Sequence, residues 1–314
     1  MSLVTARTPQ ERTRGQARYT ALFYRRSSWG NLLFVLPALA LFGAFIFYPV
    51  VAVFYLSWFR WDGLSGARVF VGLTNFGDVV LHDPIFYVTL RNTLIYLLVG
   101  STPCILGGFV LACLLRRQSR ITRFLRSVVF VPYVVPAVVV AQIWAWILQP
   151  DYGTLNSLLR AIGHPEWGLI WLGDASLAMP VASLIAAWAG LGLTTVVYLA
   201  GIGQIPDDIF DVMTLDGAGW LRQMHAVLFP LLARQTITLT ILSVTNALRE
   251  FTFLYVLTEG GPDHQSELPS LHIFDVAFNL YQQGYASALA TVLFVLTLLV
   301  TAGQLWYYRR VTDF

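Results

Sequence analysis

Long charge-free stretches dominate this chain, and short polar segments separate them. A helix needs about 20 mostly apolar residues to cross a bilayer. By that measure six candidate spans stand out. They lie within residues 27–59, from near Phe86 to just before Arg116, and within 127–150, 175–205, 231–257 and 285–308. The pattern predicts an all-α membrane protein with six transmembrane helices.

One polar segment, residues 211–230, reads DVMTLDGAGWLRQMHAVLFP. A charged, glycine-broken stretch is costly in lipid. It belongs in water, between spans four and five. Ile205-Pro206-Asp207-Asp208 is a helix start signal. Asp208 is expected at the N-cap and Asp211 at N3, as in a capping box. Apolar Ile209, Phe210, Val212, Met213 and Leu215 follow. Asp216-Gly217 then breaks the helix, because glycine readily takes the left-handed conformation. A second short helix is expected from about Trp220 to Phe229, with Pro230 marking entry to span five. On these residues alone two readings stand. One is a surface-lying amphipathic hairpin that only links two spans. The other is a helix presented to a groove on a partner.

Composition narrows the class. The chain is 57% hydrophobic and 12% charged, against about 25% charged in soluble domains. Its mean hydropathy is +0.65. All 20 basic residues are arginine. A Walker A phosphate loop needs a lysine, so this chain is not its own P-loop ATPase. Cys104 and Cys113 stand nine positions apart, on opposite faces of a helix, so neither a disulfide nor a cysteine metal site is implied. His82, His164, His225, His264 and His272 have no metal-ligand spacing. No GxSxG, HExxH or intramembrane paired-aspartate pattern appears. The basic residues follow topology and imply no nucleic-acid surface. No removable leader is expected: the first apolar run, from near Asn31, is too long and lacks a small-residue cleavage site.

Arginine placement sets the orientation. Arg7, Arg12, Arg14, Arg18, Arg25 and Arg26 lie in residues 1–28, which read as a disordered basic tail. Arg116, Arg117, Arg120, Arg123 and Arg126 follow span two; Arg222 lies in the polar segment; Arg309 and Arg310 close the chain. The opposite loops hold only Arg60, Arg68 and Arg160. Both termini and the polar segment are therefore expected in the cytoplasm. Trp58, Trp61, Trp167 and Trp171 in the external loops suit an interfacial belt.

Polar groups at membrane depth are costly and functional by default. Span five carries Asn246, Arg249 and Glu250 at spacings that share a helix face. Together they can hydrogen-bond sugar hydroxyls, and Arg249 suits a phosphate ester. Alternatively Arg249 and Glu250 pair with each other or with a second subunit. Gly260-Gly261-Pro262-Asp263 forms an external turn after span five.

The spacing around Asp211 resembles the EAA signature of ABC importer permeases. That signature reads Glu-Ala-Ala, three residues, Gly, nine residues, Ile, one residue, Leu-Pro. Here it reads Asp211-Val212-Met213, Gly217, Val227 and Phe229-Pro230. Aspartate shortens the acidic arm, and Val-Met enlarges the apolar face. From Leu33 onward the chain resembles the maltose and glycerol-phosphate branch of these inner-membrane permeases. The supporting segments are LPALALFGAFIFYPVVAVFYLSWF, VGLTNF (Val71–Phe76), RNTLIY (Arg91–Tyr96), FVPYVVP (Phe130–Pro136), LTEGGP (Leu257–Pro262) and YASALA.

The resemblance implies a permease domain over residues 29–314 with a coupling element at 205–230. Asp211, Val212, Met213, Leu215, Asp216, Gly217, Ala218 and Gly219 would dock into a separate ATPase. It places a sugar site at Tyr133, Gly190, Asn246 and Glu250, beside Arg249. Tyr133 offers a stacking ring, and Gly190 lets a ligand approach the backbone. Trp144, Trp146 and Trp188 are further platforms or packing residues. The implied partners are a second, different permease subunit, two ATPase subunits holding ATP and Mg, and an extracytoplasmic solute-binding protein. The chain itself would bind no cofactor. Other readings are a secondary transporter or channel working alone, which should show an intramembrane proton relay, and an intramembrane enzyme.

Overall fold

A computed structural model describes residues 28–312. The expected tail lies outside the described residues, except Ser28, which begins a helix. The chain divides into two compact units, Met1–Tyr55 and Leu56–Phe314.

The described part of the first unit is helical, and that helix, α1, runs over residues 28–56. Its Phe34–Leu56 part is long and apolar enough to cross a membrane. The turns widen to π-type at Gly43–Phe47.

The second unit opens with an antiparallel hairpin, β1 (Phe59–Arg60) and β2 (Val69–Phe70), with Phe59 opposite Phe70. The buried Asn75 amide donates to the carbonyls of Ser57 (2.9 Å) and Phe59 (3.0 Å). That is the work of the asparagine in VGLTNF. Helix α2 covers residues 74–82. Helix α3, Pro84–Leu115, starts where Asp83 accepts the Phe86 N–H at 2.9 Å. Pro84 lacks only an N–H that the first turn does not need.

Helix α4 (Arg120–Val134) begins with a Ser119–Thr122 capping box. It meets α5 (Ala137–Ile147) at 95°. Pro136 has no N–H and bars the residue before it from the helical region; Val135 has ψ 132°. A short α6 (Thr154–Ala161) fills the next loop, followed by α7 (Ala178–Ile202). Then come α8 (Asp207–Leu215) and α9 (Trp220–Leu231), bent 71° from α10 (Ala233–Arg249). Helix α11 (Thr252–Thr258), α12 (residues 269–279) and α13 (Gln283–Thr312) complete the unit.

Among the described residues four helices are long and apolar enough to span a membrane, or up to six if each bent pair makes one span. The third and fifth expected spans are therefore broken elements. Residues 231–257 form three pieces, because Leu232 ends one helix and Glu250, at ψ 127°, ends the next.

Apolar packing gathers in three places. At the α8–α9 end, Phe109, Tyr198, Ile202, Met213, Met224 and Leu228 form one cluster. The fully buried Tyr198 hydroxyl bonds Thr236 Oγ1 at 2.8 Å, so its polar tip is satisfied. A middle cluster joins α5, α7 and α11 through Leu148, Met179, Ile185 and Leu254. The third, at the hairpin end, joins Val79, Phe86, Val276 and Leu289. Between apolar spans in lipid, close van der Waals fit rather than water release holds such clusters together.

Candidate functional site

A cavity of about 610 Å³ lies among α3, α4, α5, α7, α10 and α11. Gly190, on its wall, is the central residue of α7. The cavity thus sits halfway along a span. Two helix breaks border it, through Pro132 and Val135 on one side and Glu250 and Phe253 on the other. Non-helical backbone at such depth is tolerated where it lines a cavity.

Tyr133, Gly190, Asn246, Arg249 and Glu250 all line this one space. Sequence reasoning missed Tyr96, Ser101 and Ser243, which also face it. Along α10 the wall runs Leu239, Leu242, Ser243, Asn246, Arg249, which is helical one-face spacing. It is apolar toward the α8–α9 end and polar toward the hairpin end. Tyr133 is 45% exposed, and its ring lies 5.7 Å from that of Phe130. Glu250 Oε1 accepts the Phe253 N–H at 3.1 Å and so caps α11. Arg249 and Glu250 do not pair with each other.

A Cβ at Gly190 would stand 2.9 Å from Cys104 Sγ, so the glycine also lets α3 pack close to α7. Trp144 and Trp188 meet edge to face at 5.6 Å on the wall of a separate apolar cavity of about 380 Å³. Trp146 packs instead on Tyr152. Both cysteines are buried and free, and no metal-binding group occurs among the described residues.

Helices α8 and α9 form the expected two-helix element, with corrections at its ends. Pro206, not Asp208, is the N-cap, and no side chain caps it. Proline sets the entry two positions earlier, which places Asp207 and Asp208 in the first turn, where the helix dipole favours them. The second helix runs past Phe229 to Leu231, with π-type turns at Gln223–Leu228. Pro230 lies inside it, and the bend falls at Leu232.

Gly217 breaks the helix as expected, at φ +63°. The Ala218 N–H bonds Met213 O and the Gly217 N–H bonds Thr214 O, a Schellman ending. Asp211, Val212, Leu215, Asp216, Gly217 and Gly219 are exposed. Met213 is buried in the core beneath, and Ala218 is half-buried.

Arg116 ties this element to α3. Its guanidinium lies 4.7 Å from the Phe210 ring centroid, and Nη2 donates to Gln223 Oε1 at 3.5 Å. Gln223 Nε2 in turn donates to Ala218 O at 2.8 Å. Arg126 donates to Leu115 O at 2.6 Å, closing the end of α3. In sequence these two arginines counted only toward orientation.

At the hairpin end, a buried charged cluster binds three segments. His272 Nε2 faces Asp83 Oδ2 and its Nδ1 faces Glu267 Oε1, both at 3.1 Å. A carboxylate on each nitrogen favours the doubly protonated ring. Tyr285 donates to Asp83 Oδ2 at 2.8 Å, and His264 bonds Glu267 Oε2. The Asn92 amide donates to the carbonyls of His264 and Glu267, each at 2.9 Å. The turn after Thr258 is thereby fixed to α3. Burial raises the Asp83 carboxyl, but the bonds from Phe86, His272 and Tyr285 outweigh it and hold the pKa below its ordinary value. Burial likewise disfavours charged His272, yet Glu267 and Asp83 together raise its pKa.

The sequence profile of the binding-protein-dependent transport system inner membrane component matches residues 104–313. The chain belongs to that family. It is similar to the probable ABC transporter permease protein YurN of Bacillus subtilis strain 168, with 34% identity over 88% of this chain and 95% of the relative. It is also similar to the trehalose/maltose transport system permease protein MalF of Thermococcus litoralis, with 31% identity over 89% and 93% of the two chains. A crystal structure of a bacterial alginate ABC transporter shares the fold, at TM-score 0.77 and 19% identity over 90% and 95% of the chains. The permease is thus a multi-pass inner-membrane transport subunit, and not an enzyme. Its family works with an ATPase and a solute-binding protein.

Proposed function

We propose that this permease imports a sugar or related polyol, delivered by an extracytoplasmic binding protein, through the cavity halfway along α7. The observation that carries this reading is the convergence of Tyr133, Ser243, Asn246, Arg249 and Glu250 on one space beside the middle of α7. An aromatic face beside amide and hydroxyl groups is suited to a sugar ring. The names of relatives support it: one is a trehalose/maltose permease, and another serves diacetylchitobiose uptake.

In this reading residues 29–314 are the permease domain, and both termini and α8–α9 face the cytoplasm. The exposed residues Asp211, Val212, Leu215 and Asp216, turned by Gly217, dock into one of two ATPase subunits that hold ATP and Mg. A second, different permease subunit completes the pathway. ATP-driven closure of the ATPases moves α8–α9, and Arg116 carries that movement to α3. The cavity then alternates between the two sides of the membrane.

The test is reconstitution in liposomes with the partner permease, the ATPase and the binding protein. ATP-dependent sugar uptake is expected, and no uptake by the permease alone under an ion gradient. Gradient-driven uptake by the single chain would overturn the reading. Normal transport by a complex carrying Gly217→Val would remove the docking part of it.

A further inference from the structure

The geometry points to Arg249 as the anchor for an anionic substituent of the transported sugar, so that the substrate class is acidic sugars rather than neutral ones. This rests on the cavity being the sugar pathway. Among the described residues Arg249 makes no hydrogen bond and no ion pair. Its side chain is exposed and lines the cavity together with Ser243 and Asn246, so its donors are open to a ligand there.

The neighbouring carboxylate is partly held. Glu250 leaves the helical path at ψ 127°, and its Oε1 accepts the Phe253 N–H. Arg249 ends α10 and receives only that helix's carboxyl-end dipole, worth about half an elementary charge. One of the last carbonyls there, Leu248 O, is already taken by Ser270 Oγ at 3.1 Å. A dipole end of that kind supplies no planar pair of acceptors for the guanidinium fork.

A carboxylate, phosphate or sulfonate supplies that pair. Ser243 and Asn246 precede Arg249 on the same wall at steps of three residues. They are placed for ring hydroxyls, with the anionic group at the hairpin end. The cavity, about 610 Å³, has room for a mono- or disaccharide.

The experiment uses the complete reconstituted importer with one binding-protein preparation in every arm. Uptake is measured for digalacturonate and glucose 6-phosphate, and for neutral digalactose and glucose. A difference between variants then belongs to the permease, since the binding protein is constant. The expected result is acidic-over-neutral preference in the native complex. Arg249→Gln should lower that ratio at least about tenfold, and Arg249→Lys should restore part of it. The proposal is overturned if the ratio is unchanged in Arg249→Gln. It is equally overturned if both classes fall in proportion, the result of a purely structural pairing with the partner permease. Uptake of neutral sugars alone by the native complex sinks this inference and leaves sugar import standing. Uptake of none of the four sinks both.

Discussion

The two charged regions of the permease are built on opposite terms. At the hairpin end, Asp83, His272, Glu267 and Tyr285 satisfy one another, and Asn92 secures the adjoining backbone. In the cavity, Arg249 meets no partner within the described residues, and Glu250 meets only a backbone N–H. A closed set of charges fixes structure. An open set leaves its hydrogen-bonding capacity for something that arrives. The difference separates scaffold from pathway without reference to sequence position.

The largest expected effect breaks the closed set. His272→Leu leaves Asp83 and Glu267 buried without their cation, and removing one partner of a buried pair costs about 3–5 kcal/mol. Thermal unfolding of the detergent-solubilised complex should show a marked drop. A drop no larger than that of a surface histidine such as His82 would mean that the cluster is not the scaffold. Asn246→Ala tests the open set. It should leave thermal unfolding near native and lower sugar uptake about tenfold, the equivalent of about 1.4 kcal/mol. Equal losses of stability and transport would erase the contrast.

Gly217→Val probes the α8–α9 element. A β-branched residue at φ +63° carries about 1–2 kcal/mol of local strain. Reduced co-purification of the ATPase is expected, with sugar binding to the cavity retained.

The smallest effect is a pH response confined to the hairpin end. The His272 pKa is raised in the folded state. Its contribution is therefore complete below the ordinary histidine value of 6.5 and is lost as pH rises through the raised value. Asp83 is depressed. Its contribution is present above the ordinary value of 3.8 and is lost as pH falls through the depressed value. A tenfold change in proton affinity between the folded and unfolded chain is worth about 1.4 kcal/mol. Hydrogen exchange across residues 259–272 should thus be slowest between those limits and speed up on either side. A flat profile across both limits would show that the cluster does not titrate as a unit.

Much of the architecture was legible from local signals. The apolar run lengths located the four unbroken helices long enough to span, and Asp216-Gly217 located the turn between α8 and α9. Both depend on residues adjacent in the chain. Cap positions were less legible: Pro206 displaced Asp208 because proline's fixed φ outweighed the aspartate's capping preference. Met213, one of the apolar residues expected on the docking surface, turned into the core. One face of an amphipathic helix must pack, and the sequence alone does not say which.

The sequence by itself determined that this is a helical membrane protein, that it cannot bind nucleotide through a phosphate loop, and that costly polar groups lie in span five. Those conclusions follow from composition and from the free energy of placing polar groups in lipid. Only the tertiary structure decided that Tyr133 of α4 shares one cavity with Asn246 and Arg249 of α10, and that Asp83 meets His272 across 189 positions of chain. Such contacts depend on how helices break and pack. A break at Val135–Pro136 or Glu250–Phe251 redirects everything beyond it, and no local pattern records where it ends.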